Sequence, residues 1–263
     1  MKGILSFLCA LLLAGAVCCG SAQAGEEVVV VYGDDAYPPY SYRIDGRMRG
    51  IYADILLEAG NRMEGFLIEI RLLPWKKLLE AAANGEVFAV FPPYYRPEER
   101  PYLDEYSVPI LEEETAVFCN KDVLKASRPR WPEDYFGLRI GQNLSFETGG
   151  DRFNQAVADG DITVEALHGT EDNVRKLLAG EVDCYINDRN AVYWTIKQQN
   201  QGDYPYRYGI LQGAVIHREQ GYLAYSHDFG ASYRARFMTE FDRAIASMRA
   251  DGLIEKIVRS YIH

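Results

Sequence analysis

Two successive runs of alternating strand and helix signals constrain this chain more than any other feature of its sequence. The first opens with Val28 to Tyr32 (VVVVY), a continuous β-branched stretch of the kind that forms a strand buried on both faces. Apolar residues at Ile51, Ile55, Leu56 and Ala59 then mark a helix over Ile51 to Met63. Phe66 to Leu72 predicts a strand, Trp75 to Ala83 a helix halted by Asn84-Gly85, and Val87 to Phe91 and Thr115 to Cys119 two further strands. The second run repeats the order. Leu138 to Ile140, Val164 to Leu167 and Val182 to Ile186 predict strands, separated by helices over Phe153 to Ala158 and Asn173 to Ala179, and Asp188 opens a helix through Gln199. A last strand is expected over Gly221 to Tyr225, followed by a helical region from Tyr233 to Tyr261. Strands separated by helices imply an α/β fold with parallel sheets and right-handed crossovers. The repetition implies two similar lobes, and the lack of a low-complexity linker implies that strands join them.

The first 24 residues carry an export address. Lys2 supplies the positive start, Ile4 to Val17 a short apolar run, and Ala22-Gln23-Ala24 the small-x-small cleavage pattern. Cleavage is expected after Ala24. A lipoprotein reading would acylate Cys18 or Cys19, but the residues before them lack the Leu-x-small approach. After cleavage only Cys119 and Cys184 remain. In an oxidising compartment they can pair; equally, they can stay as two buried thiols.

Charge narrows the partners. Against 28 Lys and Arg stand 38 Asp and Glu, a net charge of −10 that would repel nucleic acid. The four histidines are scattered without metal-ligand spacing, and no G-x-S-x-G, Walker or dinucleotide fingerprint is present. No cofactor is expected.

Candidate binding residues follow strand ends, where open α/β sheets bind ligands. Asp34 and the Tyr37-Pro38-Pro39-Tyr40 loop follow the first strand, and prolines beside a tyrosine make a stiff stacking wall. They also suit a plain turn. Pro92 to Arg100 (PPYYRPEER) offers Tyr94, Tyr95, Arg96 and Arg100, and a guanidinium can grip a carboxylate with two parallel bonds. The same loop reads as a solvated turn with its arginines paired to Glu98 or Glu99. Gly141 to Ser145 (GQNLS), including Asn143, could hold an anion on backbone amides at a helix start. Asp188 could receive an ammonium, cap the following helix, or do both.

Together these segments resemble the family 3 solute-binding proteins, the polar-amino-acid receptors of ABC importers. The resemblance rests on residues 34–56 (DDAYPPYSYRIDGRMRGIYADIL), 96–110 (RPEERPYLDEYSVPI), 171–189 (EDNVRKLLAGEVDCYINDR) and 250–262 (ADGLIEKIVRSYI), in that order. It implies a two-lobed type II periplasmic binding fold, each lobe a mostly parallel sheet flanked by helices. Lobe 1 would be 25–115 with 221–263, and lobe 2 would be 116–220. Thr115 to Cys119 and Gly221 to Tyr225 would be the hinge strands, an arrangement that makes a Cys119–Cys184 contact plausible.

Tyr37 matches the family's aromatic wall, Arg100 the grip on the ligand α-carboxylate, and Asp188 the acceptor of its α-ammonium. Asp34 falls where some members read a basic side chain. This chain departs where Pro93 and Tyr95 replace the usual hydroxyls, where Phe88 replaces an aspartate, and where Asn143 stands for a threonine. The implied ligand-binding set is Asp34, Tyr37, Tyr40, Pro93, Tyr95, Arg100, Asn143, Ser145 and Asp188. The implied function is capture of an amino acid or related amino/carboxylate compound between closing lobes, without catalysis, by a periplasmic monomer that delivers it to an inner-membrane ABC permease. The alternatives are a cyclohexadienyl dehydratase-like enzyme, with Glu147 or Asp188 as general acid, and an orphan receptor serving a membrane sensor.

Overall fold

The β-branched run lies inside β1 (Glu27–Asp34), the strand around which the first sheet is laid out. The computed structural model describes residues 26–144, 148–199 and 209–263. The proposed cleavage site after Ala24, Ser145 and Glu147 lie outside the described residues. In the first sheet, β5 (Phe66–Leu73) and β6 (Ala89–Phe91) flank β1 in parallel. Two antiparallel strands complete it, β13 (Ala224–Ser226) and β7 (Leu103–Tyr106), giving the order β5-β1-β6-β13-β7.

The second sheet repeats the plan. Its parallel part is β10 (Thr163–Leu167), β9 (Arg139–Asn143) and β11 (Cys184–Asp188). The long strands β8 (Leu111–Asn120) and β12 (Ile210–Gly221) are antiparallel, and the order is β10-β9-β11-β8-β12. Both sheets are mixed: each has three parallel strands side by side, completed by β13 and β7 in the first and by the crossing strands β8 and β12 in the second. A small antiparallel sheet of β2 (Ala36–Tyr37), β3 (Ser41–Ile44) and β4 (Arg47–Arg49) folds over the end of β1.

Helices α1 (Ile51–Arg62) and α6 (Arg234–Ala250) cover one face of the first sheet. Phe66, Phe88, Phe237 and Phe241 meet there with no more than 1 % exposure. Each such side chain contributes about 1.5–3 kcal/mol of burial. The helical region expected over Tyr233 to Tyr261 is two helices, because Gly252 adopts φ +73° between α6 and α7 (Leu253–Ile262). Helix α2 (Trp75–Ala83) packs on the first sheet, and α3 (Asp151–Ala158), α4 (Gly169–Ala179) and α5 (Arg189–Gln199) cover the second. Among the described residues no helix is long and apolar enough to cross a membrane.

The connecting strands differ from expectation. Gly221 to Tyr225 is not one strand: Gly221 ends β12, and β13 begins at Ala224 in the other sheet. The crossing is a ribbon of β8 and β12, extended by the bond from Ile110 N–H to the Gly221 carbonyl. Its charged half, His217 to Gln220, hides the strand from a reading that looks for alternating apolar residues. It pairs instead through charge, Arg218 meeting Glu114 at 2.6 Å and Glu112 at 3.2 Å on the facing strand. Within the second sheet Cys119 and Cys184 face each other across β8 and β11, fully buried, and form a disulfide.

Candidate functional site

The carboxyl ends of the parallel strands converge on the gap between the sheets, where open α/β folds place their sites. From the first sheet come Asp34 at the end of β1, Trp75 after β5, and Pro92 and Tyr94 after β6. From the second come Asn143 at the end of β9, Thr170 after β10, and Asn187 and Asp188 at the end of β11. They line two hollows. The smaller, about 260 Å³, is walled by Asp34, Tyr37, Trp75, Pro92, Tyr94 and Arg100. The larger, about 460 Å³, includes Tyr37, Tyr94, Asn143, Thr170, Asn187 and Asp188, with Thr115 and His217 facing each other across the ribbon. Tyr37 and Tyr94 are common to both.

In the smaller hollow the Arg100 guanidinium lies 5.6 Å from the centre of the Trp75 ring. No carboxylate among the described residues pairs with it. The expected neighbour of that arginine, Arg96, is spent elsewhere: it holds Glu219 on β12 at 2.5 Å and lies 5.7 Å from the Tyr94 ring centre. Asp34 accepts the Ala36 N–H at 3.1 Å, and partial burial raises its carboxyl above the usual range.

In the larger hollow Asp188 accepts the Ala191 N–H at 2.8 Å, capping α5, while its other oxygen accepts the Tyr40 hydroxyl at 2.8 Å. Burial lifts its carboxyl to about 6 against those bonds. Tyr40 is fully buried, stacked on Tyr37 at 4.9 Å, and reaches from the small sheet to the start of α5. It props the two lobes and lines neither hollow. Asn143 accepts the Tyr185 hydroxyl at 2.8 Å and the Asn173 amide at 3.0 Å, part of a polar floor that also holds Asn187 and Thr170.

Asp34, Tyr37 and Arg100 are thus brought together, as are Tyr37, Asn143 and Asp188. Pro93 and Tyr95 are not. Pro93 is buried with its carbonyl bonded to Tyr222 N–H, and Tyr95 is 57 % exposed against Tyr106 and Tyr222. Adjacent residues of an extended segment face opposite sides, so Tyr94 enters the cleft and Tyr95 leaves it.

Sequence reasoning also missed Trp75, Thr170 and Asn187, which the strand-end rule could have flagged, and Glu113, which nothing local marks. Glu113 is 3 % exposed and accepts three tyrosine hydroxyls: Tyr37 at 2.5 Å, Tyr94 at 2.7 Å and Tyr52 at 2.7 Å. Burial, then the Asp188 charge, raises its carboxyl to about 7. A raised carboxyl favours the folded state fully below the ordinary value of 4.5, and that advantage is lost as pH rises through the folded value. Melting temperature should therefore fall between pH 5 and pH 8 more steeply for the wild type than for Glu113→Gln. The gap between them should widen to several degrees in thermal melts; parallel curves would refute the raised carboxyl. Among the described residues no cluster of His, Cys, Asp and Glu could hold a metal ion.

Comparison with known proteins places this geometry. Among curated proteins none matches the sequence. Solved structures match across the chain at low identity. The second substrate-binding domain of Lactococcus lactis GlnP, in its open conformation, has 16 % identity and a TM-score of 0.69, covering 90 % of this chain and 96 % of that one. An ancestral cationic amino acid solute-binding protein has 16 % and 0.68, with the same coverage. The unliganded open L-cystine receptor of Neisseria gonorrhoeae has 16 % and 0.67, covering 91 % and 94 %. These likenesses establish the two-lobed type II periplasmic binding fold. The family model of bacterial extracellular solute-binding proteins, family 3, matches residues 29–263, and the chain belongs to that family.

Proposed function

We propose that this protein is an exported receptor that captures an amino acid, or a related small amino/carboxylate compound, between its lobes and delivers it to an ABC-type permease. The observation that carries this reading is Arg100, a guanidinium facing an aromatic hollow with no acid partner among the described residues. A ligand carboxylate supplies the missing partner through two charge-assisted bonds, each worth about 1.5–3 kcal/mol. Asp188 stands on the far side of Tyr37 and Tyr94, so a solute that uses both anchors passes along those two rings. The anchors sit on different sheets, and ligand bound to both shifts the population toward closure about the β8–β12 ribbon. Lobe 1 is then 25–115 with 221–263, and lobe 2 is 116–220. Structural neighbours named as binders of arginine, cationic amino acids and L-cystine support the solute class.

We read no catalysis in this site. Asp188 has the raised carboxyl of a general acid, but one oxygen caps α5 and the other holds Tyr40. The test is a thermal-shift screen of the mature protein, refolded once to strip carried-over ligand, against the L-amino acids, small dicarboxylates, polyamines, prephenate and arogenate. Ligand at a hundred times its dissociation constant adds about 2.7 kcal/mol. A shift with one amino-acid group and no product supports the receptor. Shifts confined to prephenate or arogenate, followed by their disappearance, replace it with a dehydratase.

Asp188→Asn separates anchor from cap. Asparagine is as good an N-cap as aspartate, so helix α5 keeps its start, while the Tyr40 hydroxyl loses its acceptor and thermal melts read that loss apart from affinity. Affinity for α-amino acids should fall at least tenfold by calorimetry, while matching carboxylates without the ammonium lose little. Equal losses would reduce Asp188 to a structural cap.

A further inference from the structure

Glu113 is the acid of this cleft that the ligand reading leaves without a role. It lies on β8 between Glu112 and Glu114, both of which pair with Arg218 on the outer side of the ribbon. Strand alternation turns Glu113 the other way, into a fully built pocket of tyrosines. No cation among the described residues pairs with it. One oxygen takes Tyr52; the other takes both Tyr37 and Tyr94, whose hydroxyls are themselves 3.2 Å apart. The second strand of the ribbon seals the cluster. A Cβ at Gly221 would stand 1.8 Å from the Tyr52 hydroxyl oxygen and 3.3 Å from a Glu113 oxygen, so this position tolerates no side chain.

The two residues gathered on a single oxygen are the two that line both hollows. We propose that Glu113 is a positioning residue that sets solute size: by holding the hydroxyls of Tyr37 and Tyr94 together, it keeps their rings standing as a partition between the Arg100 hollow and the Asp188 hollow. With the partition fixed, a single amino-acid-sized solute can run along its edge, and a dipeptide, which needs the hollows merged, is excluded. This rests on the reading of the hollows as the solute site.

The experiment compares wild type, Glu113→Met, Glu113→Gln and Tyr52→Phe by calorimetry against the twenty L-amino acids and the alanyl dipeptide of each. Methionine keeps the length of glutamate and removes both carboxylate oxygens, leaving a weakly accepting thioether. Glutamine keeps one oxygen that can hold both hydroxyls, and Tyr52→Phe leaves the Tyr37–Tyr94 oxygen untouched. The expected result is a wild type that binds a single amino acid and no dipeptide, and a Glu113→Met protein whose preference for the amino acid over its dipeptide falls at least tenfold. Glu113→Gln and Tyr52→Phe should keep the wild-type preference. An unchanged preference in Glu113→Met overturns the partition while leaving the receptor reading intact.

If wild type binds none of the amino acids, the receptor reading fails, and proton NMR of the ligand-free protein decides the partition separately. Slowly exchanging, downfield hydroxyl protons assigned to Tyr37 and Tyr94 support it, and their absence overturns it. The same spectrum decides the case in which Glu113→Met does not fold.

Discussion

Arg100→Ala is expected to lower affinity for the bound solute at least tenfold, and up to several hundredfold, while leaving the unliganded fold almost unchanged. The separation follows from what Arg100 touches. Among the described residues its guanidinium lies against the Trp75 ring, 5.6 Å from the ring centre and paired with no carboxylate, a contact worth about 0.5–1 kcal/mol at a partly exposed site. In the complex it would hold a carboxylate through two bonds, and truncation leaves that carboxylate desolvated and unpaired. Arg100→Lys should fall between, since it keeps the charge and loses the planar fork.

The neighbouring arginine is the control. Arg96 already holds Glu219, so Arg96→Ala should loosen the attachment of its loop to β12 and change melting temperature more than affinity. Calorimetry and thermal melts on the three variants check both statements. Wild-type affinity in Arg100→Ala would remove the carboxylate grip and with it the amino-acid reading.

The alternation of strand and helix was legible because β1 and β6 are apolar runs and helices of regular apolar spacing separate the parallel strands. The ribbon was not, because β12 trades apolar alternation for cross-strand charge, a pattern visible only once β8 lies beside it. The site divides along the same line. Tyr37, Arg100 and Asp188 stand in stretches whose spacing resembles a known family, and each reaches the cleft. Tyr94 and Tyr95 are chemically identical neighbours, and only the direction of the chain after β6 tells which one faces the gap.

Glu113 was hidden more deeply. In sequence it is the middle of three glutamates, the mark of a solvated edge. Its neighbours pair with Arg218 on the other face of the strand, while one residue of shift turns it into a tyrosine pocket. Register, not composition, makes it part of the site. The hinge ribbon therefore does two things at once, carrying the crossing between lobes on its charged outer face and anchoring the cleft's aromatic wall on its inner one.

The largest loss of stability is expected from the double variant Cys119→Ala/Cys184→Ala. The bond closes a 65-residue separation, and the chain-entropy account gives about 4 kcal/mol for a loop of that size. For a chain of this length the melting temperature should fall by about 10 °C. Alanine is the right replacement, because serine would bury two hydroxyls in a core of Val117, Ile140 and Phe153.

The loss should reach the ligand as well as the fold. Cys184 opens β11, the strand that ends in Asp188, and the bond fixes its register against β8, the strand that carries Glu113. Treating wild type with reductant should reproduce the lower melting temperature and leave the double variant unaffected. A wild type indifferent to reductant would mean that the two cysteines serve as buried thiols. Protein made in a reducing compartment should melt at the lower temperature and protein made in an oxidising one at the higher, as the disulfide requires.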